Sequence, residues 1–266
     1  VKIATWNVNS LRVRLPQVQS WLARERPAVL AIQETKLHDA VFPTQELLEL
    51  GYHSLASGQP TYNGVAILSV APPHAPQIGI PGMADPQRRA LAASYLVPAL
   101  PGGALRVINL YVPNGQEVGS AKYAYKLAWL AAVRDWIAKE IAAYPNIAVL
   151  GDYNIAPEDQ DVHDPRAWRG CVAVSTAERA AFRELLALGL HDAFRLFPQA
   201  ARSFSWWDYR AQAFPRNLGL RIDHILFSST LIKYCVNCWI ARAVRAAPRP
   251  SDHAPVIAEL NCETNL

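Results

Sequence analysis

The sequence predicts an α/β fold built on mixed sheets, and three observations carry that prediction. Short apolar runs end repeatedly in polar loops, and helical periodicity fills several of the gaps between them. Between Tyr52 and Tyr111 the apolar runs are instead separated only by Pro/Gly-rich turns. The first two features give strands alternating with helices. The third requires antiparallel neighbours, so the sheets are mixed rather than purely parallel.

In chain order, Lys2-Ile3-Ala4-Thr5-Trp6 reads as a buried strand that delivers Asn7. From Leu15, the apolar positions Val18 and Leu22 recur at helical spacing until Pro27 ends the segment. Val29-Leu30-Ala31-Ile32 is a second buried strand, delivering Gln33 and Glu34, and Val107-Ile108-Asn109-Leu110 delivers Tyr111. Lys122 to Ala142 has the helical period in Leu127, Leu130, Ile137 and Ile141. Ile147-Ala148-Val149-Leu150 then leads into Asp152 and Asn154. A further helix starts at the capping box Ser175-x-x-Glu178 and stops at Gly189.

Composition narrows the class. The 266 residues contain no Gly/Ser-rich or charge-rich linker, so a single domain over 1–266 is expected, with any disorder at the ends. Hydrophobic residues at 51% against 18% charged supply a sizeable core. No uniform apolar stretch is long enough to span a membrane, and Val1 opens on a strand with no signal peptide ahead of it. The formal charge of +4 is compatible with a polyanionic substrate but is mild. The pairs Arg12 and Arg14, Arg88 and Arg89, Lys122 and Lys126, and Arg216 and Arg221 are read as loop or helix-start cations near the candidate site. Cys235 and Cys238 form one C-x-x-C with no second pair at zinc spacing. Reduced thiols and a cytoplasmic location are the expectation.

Function is written at the strand ends. Gln33-Glu34-Thr35, Gly151-Asp152-Tyr153-Asn154 and Ser251-Asp252-His253-Ala254-Pro255 each present ionisable or amide groups. A hard divalent cation needs oxygen ligands, with a base and a charge stabiliser beside it, and these residue types supply all three. One such Asp alone would be an ordinary turn or cap residue. Several strand-adjacent groups together point to one cleft.

The motifs carrying these groups also resemble a family. Thr5-Trp6-Asn7-Val8-Asn9-Ser10, Gln33-Glu34-Thr35-Lys36, Tyr62-Asn63-Gly64-Val65-Ala66-Ile67, Gln87-Arg88-Arg89, Gly151-Asp152-Tyr153-Asn154-Ile155, Gly219-Leu220-Arg221-Ile222-Asp223 and Ser251-Asp252-His253-Ala254-Pro255 closely resemble, in order, the bacterial exonuclease III family of apurinic/apyrimidinic endonucleases. The resemblance implies a four-layered α/β sandwich, two mixed sheets face to face with helices outside. It implies a phosphodiesterase that uses Mg2+ or Mn2+, nicks duplex DNA on the 5′ side of abasic sites, and trims nucleotides or blocking groups from 3′ ends. Its expected partner is double-stranded DNA with abasic sites, nicks or recessed 3′ ends, and it is expected to act as a monomer.

Residue by residue, the resemblance assigns Glu34, with Asn7 beside it and Asp252 further on, to the metal. Asp152 would activate the attacking water, held by Asn154. His253 would contact the scissile phosphate with Asp223 fixing its tautomer, and either Asp152 or His253 could be the base. Tyr111 and Lys126 match positions that bind the phosphate or stabilise the leaving 3′ oxygen, and Arg88, Arg89 and Arg221 are further DNA-binding candidates. Trp206, Leu220 and Ile222 align with a pocket for a flipped-out abasic sugar; Phe204 and Trp207 beside them fit core packing equally well. Ala173 stands where the family has a small pocket residue. In some relatives a bulkier one there accompanies poor abasic-site cleavage with retained 3′ exonuclease action. His163, Trp168 and Cys171 lie in a segment without a confident match.

Two competing readings are a phosphodiesterase for phospholipid or inositol phosphate headgroups and an inactive DNA-binding scaffold. Arg88-Arg89 and Trp206-Trp207 disfavour the first. The complete set Asn7, Glu34, Asp152, Asn154, Asp223, Asp252 and His253 disfavours the second.

Overall fold

The computed structural model describes residues 1–262, so the last four residues of the expected domain lie outside the described residues. The first half of the chain runs β1 (Lys2–Asn7), α1 (Leu11–Glu25), β2 (Val29–Gln33), α2 (Thr44–Glu49), β3 (His53–Ser57), β4 (Val65–Ser69), β5 (His74–Ile78), β6 (Ala90–Leu96) and β7 (Ala104–Tyr111). It continues with α3 (Ala121–Ala143), β8 (Ile147–Asp152), α4 (Thr176–Ala187), β9 (Leu190–Asp192) and the short β10 (Trp206–Trp207) and β11 (Gly219–Leu220). The last strands are β12 (Asp223–Ser228), β13 (Cys235–Ile240) and β14 (Val256–Leu260).

Two six-stranded sheets result, ordered β13-β14-β1-β2-β4-β3 and β5-β6-β7-β8-β12-β9. Each has one parallel pair at its centre, β1 with β2 and β7 with β8, and antiparallel neighbours elsewhere. The expected antiparallel pairing between Tyr52 and Tyr111 appears as β3 on β4 and as β5, β6 and β7 side by side.

Strand periodicity makes four layers of this. Ile3, Val29, Ala31, Val107, Ala148, Leu150 and Ile225 face inward and form one core between the sheets. Their alternate neighbours face outward: Ala4, Trp6 and Leu30 pack on Val18 and Leu22 of α1. On the other side Ile108, Leu110 and Val149 pack on Trp129 and Val133 of α3 and Phe182 of α4. Helices thus cover both outer faces, as the resemblance implies.

Helix limits depart from the sequence reading only where backbone chemistry decides. The first helix begins at Leu11 rather than Leu15 and carries Pro16 inside it, ending before Pro27 because Arg26 turns left-handed at φ 47°. The capping box of α4 is complete: Ser175 accepts from the Glu178 amide, and Glu178 accepts from the Ser175 amide. All four cysteines are free, and no helix among the described residues is long and apolar enough to cross a membrane.

Between the sheets, the apolar core gives way to a polar layer before it reaches the loops. Gln33 Nε2 donates to Thr5 Oγ1 and to Asn109 Oδ1, while Asn109 Nδ2 donates to the carbonyls of Ile32 and Ala66. These buried bonds pin the two sheets to each other. Two residues further along the same inward faces come Asn7, Tyr111 and Asp152, at the carboxyl ends of the parallel strands.

Candidate active site

Five elements deliver the site. Asn7 ends β1, Glu34 follows β2, Tyr111 ends β7, Asp152 ends β8, and Asp223 opens β12 directly opposite Asp152 in the ladder. His253 sits on the loop before β14, bridged to Trp206. Its segment is held by Ser251, whose hydroxyl donates to the Asn7 carbonyl and accepts from the His253 amide.

Asn7 is the hub, its Nδ2 donating at 2.9 Å to both Glu34 Oε1 and Asp152 Oδ2. Glu34 also accepts from the Tyr111 hydroxyl at 2.9 Å and pairs with Lys36 at 2.8 Å. Burial works to raise the Glu34 pKa, but Lys36 and the Asn7 amide outweigh it and hold the carboxyl below its usual range. Burial, with Glu34 and Asp152 nearby, pushes the Tyr111 phenol well up, so it remains a proton donor.

Asp152 accepts from the Asn154 amide at 2.9 Å as well as from Asn7, and the Asn154 side chain is fixed by donating to Val112 O. Burial raises the Asp152 carboxyl, against the pull of His253. His253 Nδ1 lies 2.9 Å from Asp223 Oδ2, and Nε2 faces Asp152 at 3.8 Å. Burial disfavours the charged ring, yet Asp223 and then Asp152 overcome this and push His253 up to about 10. Asp223 is itself held by Ser205 Oγ at 2.7 Å. The cleft therefore contains an imidazolium braced on one side by a carboxylate and facing a second carboxylate that is poised near neutrality.

Glu34 (φ 54°) and Lys36 (φ 52°) adopt left-handed backbone, which costs roughly 1–2 kcal/mol each, whereas Asn9 (φ 44°) and Asn154 (φ 49°) are of a residue type that tolerates it. At Glu34 that turn accompanies a carboxylate lying within reach of Asn7 and Tyr111.

Asp152, Asp223 and His253 are a group whose ligand atoms converge within 4.8 Å. Glu34 and Asp252, expected on the metal, stand outside that group. Asp252 accepts from Asn9 Nδ2 and Trp206 Nε1, both at 3.0 Å, and so braces Trp206 beside His253. A hard cation nonetheless fits the donor chemistry better on the Glu34 side, where carboxylate oxygens of Glu34 and Asp152 both reach the Asn7 Nδ2, while the Asn7 oxygen is taken by the Asn9 amide. His253 Nδ1 is already engaged by Asp223.

Four pocket candidates come together. Ala173, Leu220 and Ile222 are buried in one cluster with Ala156, Val162 and Val174, and Trp206 packs against it. Trp168 joins the same cluster, a neighbour that the sequence reading missed. Its signal was present: a large aromatic in an otherwise polar loop. Phe204 and Trp207 belong instead to a separate core cluster, the packing alternative. Asn9 and Lys36, which the sequence motifs contain without a role, also belong to the site: Lys36 pairs with Glu34 and Asn9 Nδ2 donates to Asp252.

The DNA-binding cations need correction. Lys126 is fully buried and paired with Glu178, because its side chain points inward between α3 and α4. Arg221 is buried between Asp161 and Asp192, its Nε donating to Asp161 at 2.6 Å and Nη1 lying 2.8 Å from Asp192. Neither is available to a phosphate in this arrangement. Arg89 is half-buried with its guanidinium 4.6 Å from the Tyr111 ring centre, so it positions that ring. Arg88 is exposed.

Comparison with known proteins agrees with this geometry. A model described as the endonuclease/exonuclease/phosphatase family matches residues 4–253. The chain is 37% identical to exodeoxyribonuclease III of Haemophilus influenzae, over 97% of this chain and 99% of that protein. Among solved structures, a 3′ phosphatase from Neisseria bound to product DNA hairpin aligns at TM-score 0.92 and 45% identity, over 98% of this chain and 99% of that one. An AP endonuclease from Archaeoglobus fulgidus aligns at TM-score 0.91 and 37% identity, again over 98% and 99%.

Proposed function

The chain belongs to the endonuclease/exonuclease/phosphatase family, and from that premise we propose that it is a DNA-repair phosphodiesterase. It hydrolyses duplex DNA 5′ to abasic sites and removes nucleotides or blocking groups from 3′ ends. The observation that carries the reading is the line Asp223–His253–Asp152, a braced imidazolium facing a carboxylate.

In this reading Asp152 is the base that takes a proton from the attacking water, since burial places its carboxyl close to the operating pH. Asn7 and Asn154 orient that carboxylate. His253, kept protonated by Asp223, offers Nε2–H to a nonbridging phosphate oxygen, where negative charge builds during in-line attack. Tyr111 holds a proton for the phosphate or the leaving 3′ oxygen. Glu34 would hold Mg2+ or Mn2+ beside the Asn7 amide, leaving the Asp152 carboxylate to act as base. Such an ion, when bound, supplies charge neutralisation at the phosphate.

Trp206, Leu220, Ile222 and Ala173, one apolar cluster, would border a recess that admits a bare deoxyribose and excludes a base. A second reading, predominantly a 3′ exonuclease and 3′-end trimming enzyme with weak abasic cleavage, is supported by the Neisseria relative, which is named a 3′ phosphatase. The test is a pair of matched duplexes, one with an internal abasic site and one with a 3′-phosphate, each with and without magnesium. Magnesium-dependent nicking of the first supports the leading reading. Turnover of only the second supports the alternative, and turnover of neither overturns both.

A further inference from the structure

Lys126 is a buried cation that the mechanism does not use, and its surroundings say what it does. Its Nζ donates to the Asn154 carbonyl at 2.7 Å and to the Asn114 carbonyl at 3.2 Å, and it pairs with Glu178. Glu178 in turn accepts from the Ala173 amide at 2.9 Å and from the Ser175 amide at 3.1 Å. A single buried ion pair therefore joins the loop after β8, which carries Asn154, to Ala173 in the apolar cluster beside Trp206. Both attachment points have left-handed backbone, φ 49° at Asn154, which asparagine tolerates, and φ 74° at Ala173, which local preference alone does not hold. A direct backbone bond, Ala173 C=O accepting from the Ala156 amide at 2.8 Å, runs beside it. Gly115 leaves room for the lysine stem: a Cβ there would stand 3.1 Å from Lys126 Cδ.

We propose that the Lys126–Glu178 pair is a positioning device that sets the Asp152–Asn154 loop and the Ala173 wall relative to each other. The chemistry and the fit of the extrahelical sugar are thereby adjusted together. Neither residue touches substrate. Burying a paired lysine and glutamate is a poor route to stability, since well-packed apolar residues serve as well. A directional bridge from the Asn154 carbonyl to the strained backbone at Ala173 is something apolar residues cannot replace. The consequence for rate rests on the phosphodiesterase reading; the coupling itself is independent of it.

Hydrogen exchange on the Glu178→Gln protein tests the coupling without substrate. Peptides covering 152–156 and 171–175 should both exchange at least tenfold faster than in the native protein, while β1 is unchanged. Faster exchange at only one segment, or at neither, overturns the link. Kinetics then separate positioning from DNA contact. Lys126→Met should lower the single-turnover rate on an abasic duplex on the order of 10²-fold, the scale of a small misplacement of catalytic groups. Its DNA affinity and salt dependence should match native, whereas Arg88→Ala should flatten the log–log salt slope by about 0.9. An equal flattening in Lys126→Met would make it a phosphate contact and sink the proposal. The double variant Lys126→Met/Glu178→Met removes both charges together, so it tests a purely structural role. Native melting with a native rate refutes positioning, and native melting with a slow rate supports it. Should Lys126→Met fail to fold, the exchange result decides. Failure of the native protein to cleave DNA would remove the functional reading and leave the exchange result standing.

Discussion

Replacing Asp223 by Asn removes one charge and little else, because the amide keeps the shape of the carboxylate and an oxygen that can accept from His253 Nδ1. Asp223 Oδ2 lies 2.9 Å from that nitrogen, a separation at which unit charges interact by about 6 kcal/mol at an effective dielectric near 20. Raising the imidazole from 6.5 to about 10 corresponds to about 5 kcal/mol in favour of the charged ring. That net rise is what remains after burial has pulled the other way, so Asp223 supplies the largest share with Asp152 adding to it, and without Asp223 the burial penalty is opposed only by Asp152 and Asp252. His253 in Asp223→Asn should therefore titrate at least two units lower than in the native protein. The assay is the pH dependence of the imidazole carbon–proton resonances, recorded in chelator. The chain has 7 histidines, and His253→Asn assigns the relevant signal. Native His253 should remain cationic through pH 8 and the variant should not, with cleavage at pH 8 falling about 10²- to 10⁴-fold. An unchanged titration in Asp223→Asn would refute the dyad as the source of the charge, and with it the role given to His253.

Other perturbations reach different parts of the argument. Glu34→Gln should raise the magnesium concentration for half-maximal nicking by at least the ~10- to 100-fold seen when a metal loses even an outer partner, with little change in melting; an unaltered magnesium midpoint would remove Glu34 from the metal. Ala173→His should depress abasic-site cleavage more than 3′-end trimming, because a bulky group at the recess crowds an extrahelical sugar more than a frayed end; equal losses on matched duplexes would exclude Ala173 from specificity. Stability should fall on acidification through His224, which burial, and then Arg221, hold down at about 4. Between pH 6.5 and 4 the unfolded chain binds a proton that the native one does not, so unfolding becomes easier by about 3 kcal/mol across that window. Urea melts of native and His224→Gln protein should show the variant losing that dependence, and parallel curves would contradict the assignment.

Much of this was legible in the sequence, and what was not has a common cause. Asn7, Tyr111 and Asp152 could be placed because each ends a run of strand residues, and period-two alternation puts all three on the face shared with Ile3, Val107 and Leu150. The Ser175 capping box was legible for the same local reason. The cations were not. Lys126 and Arg221 read as DNA contacts in a sequence because a count of charges carries no information about partners, and their partners Glu178 and Asp161 lie 52 and 60 residues away. Glu178 was visible only as the third residue of a helix start, a role that uses its carboxylate locally and gives no hint that the same group closes a buried bridge. Arg221 sits between two residues of the apolar cluster, Leu220 and Ile222, in the link between β11 and β12, where its side chain turns away from them toward Asp161 and Asp192. That placement is itself readable: a cation flanked by two residues assigned to an apolar pocket must point away from the pocket, and so away from anything bound there. By the same reasoning the cations left free to meet a polyanion are those that the fold leaves exposed. Arg12, Arg88, Lys122 and Arg216 are exposed, and carboxylates claim Lys126 and Arg221.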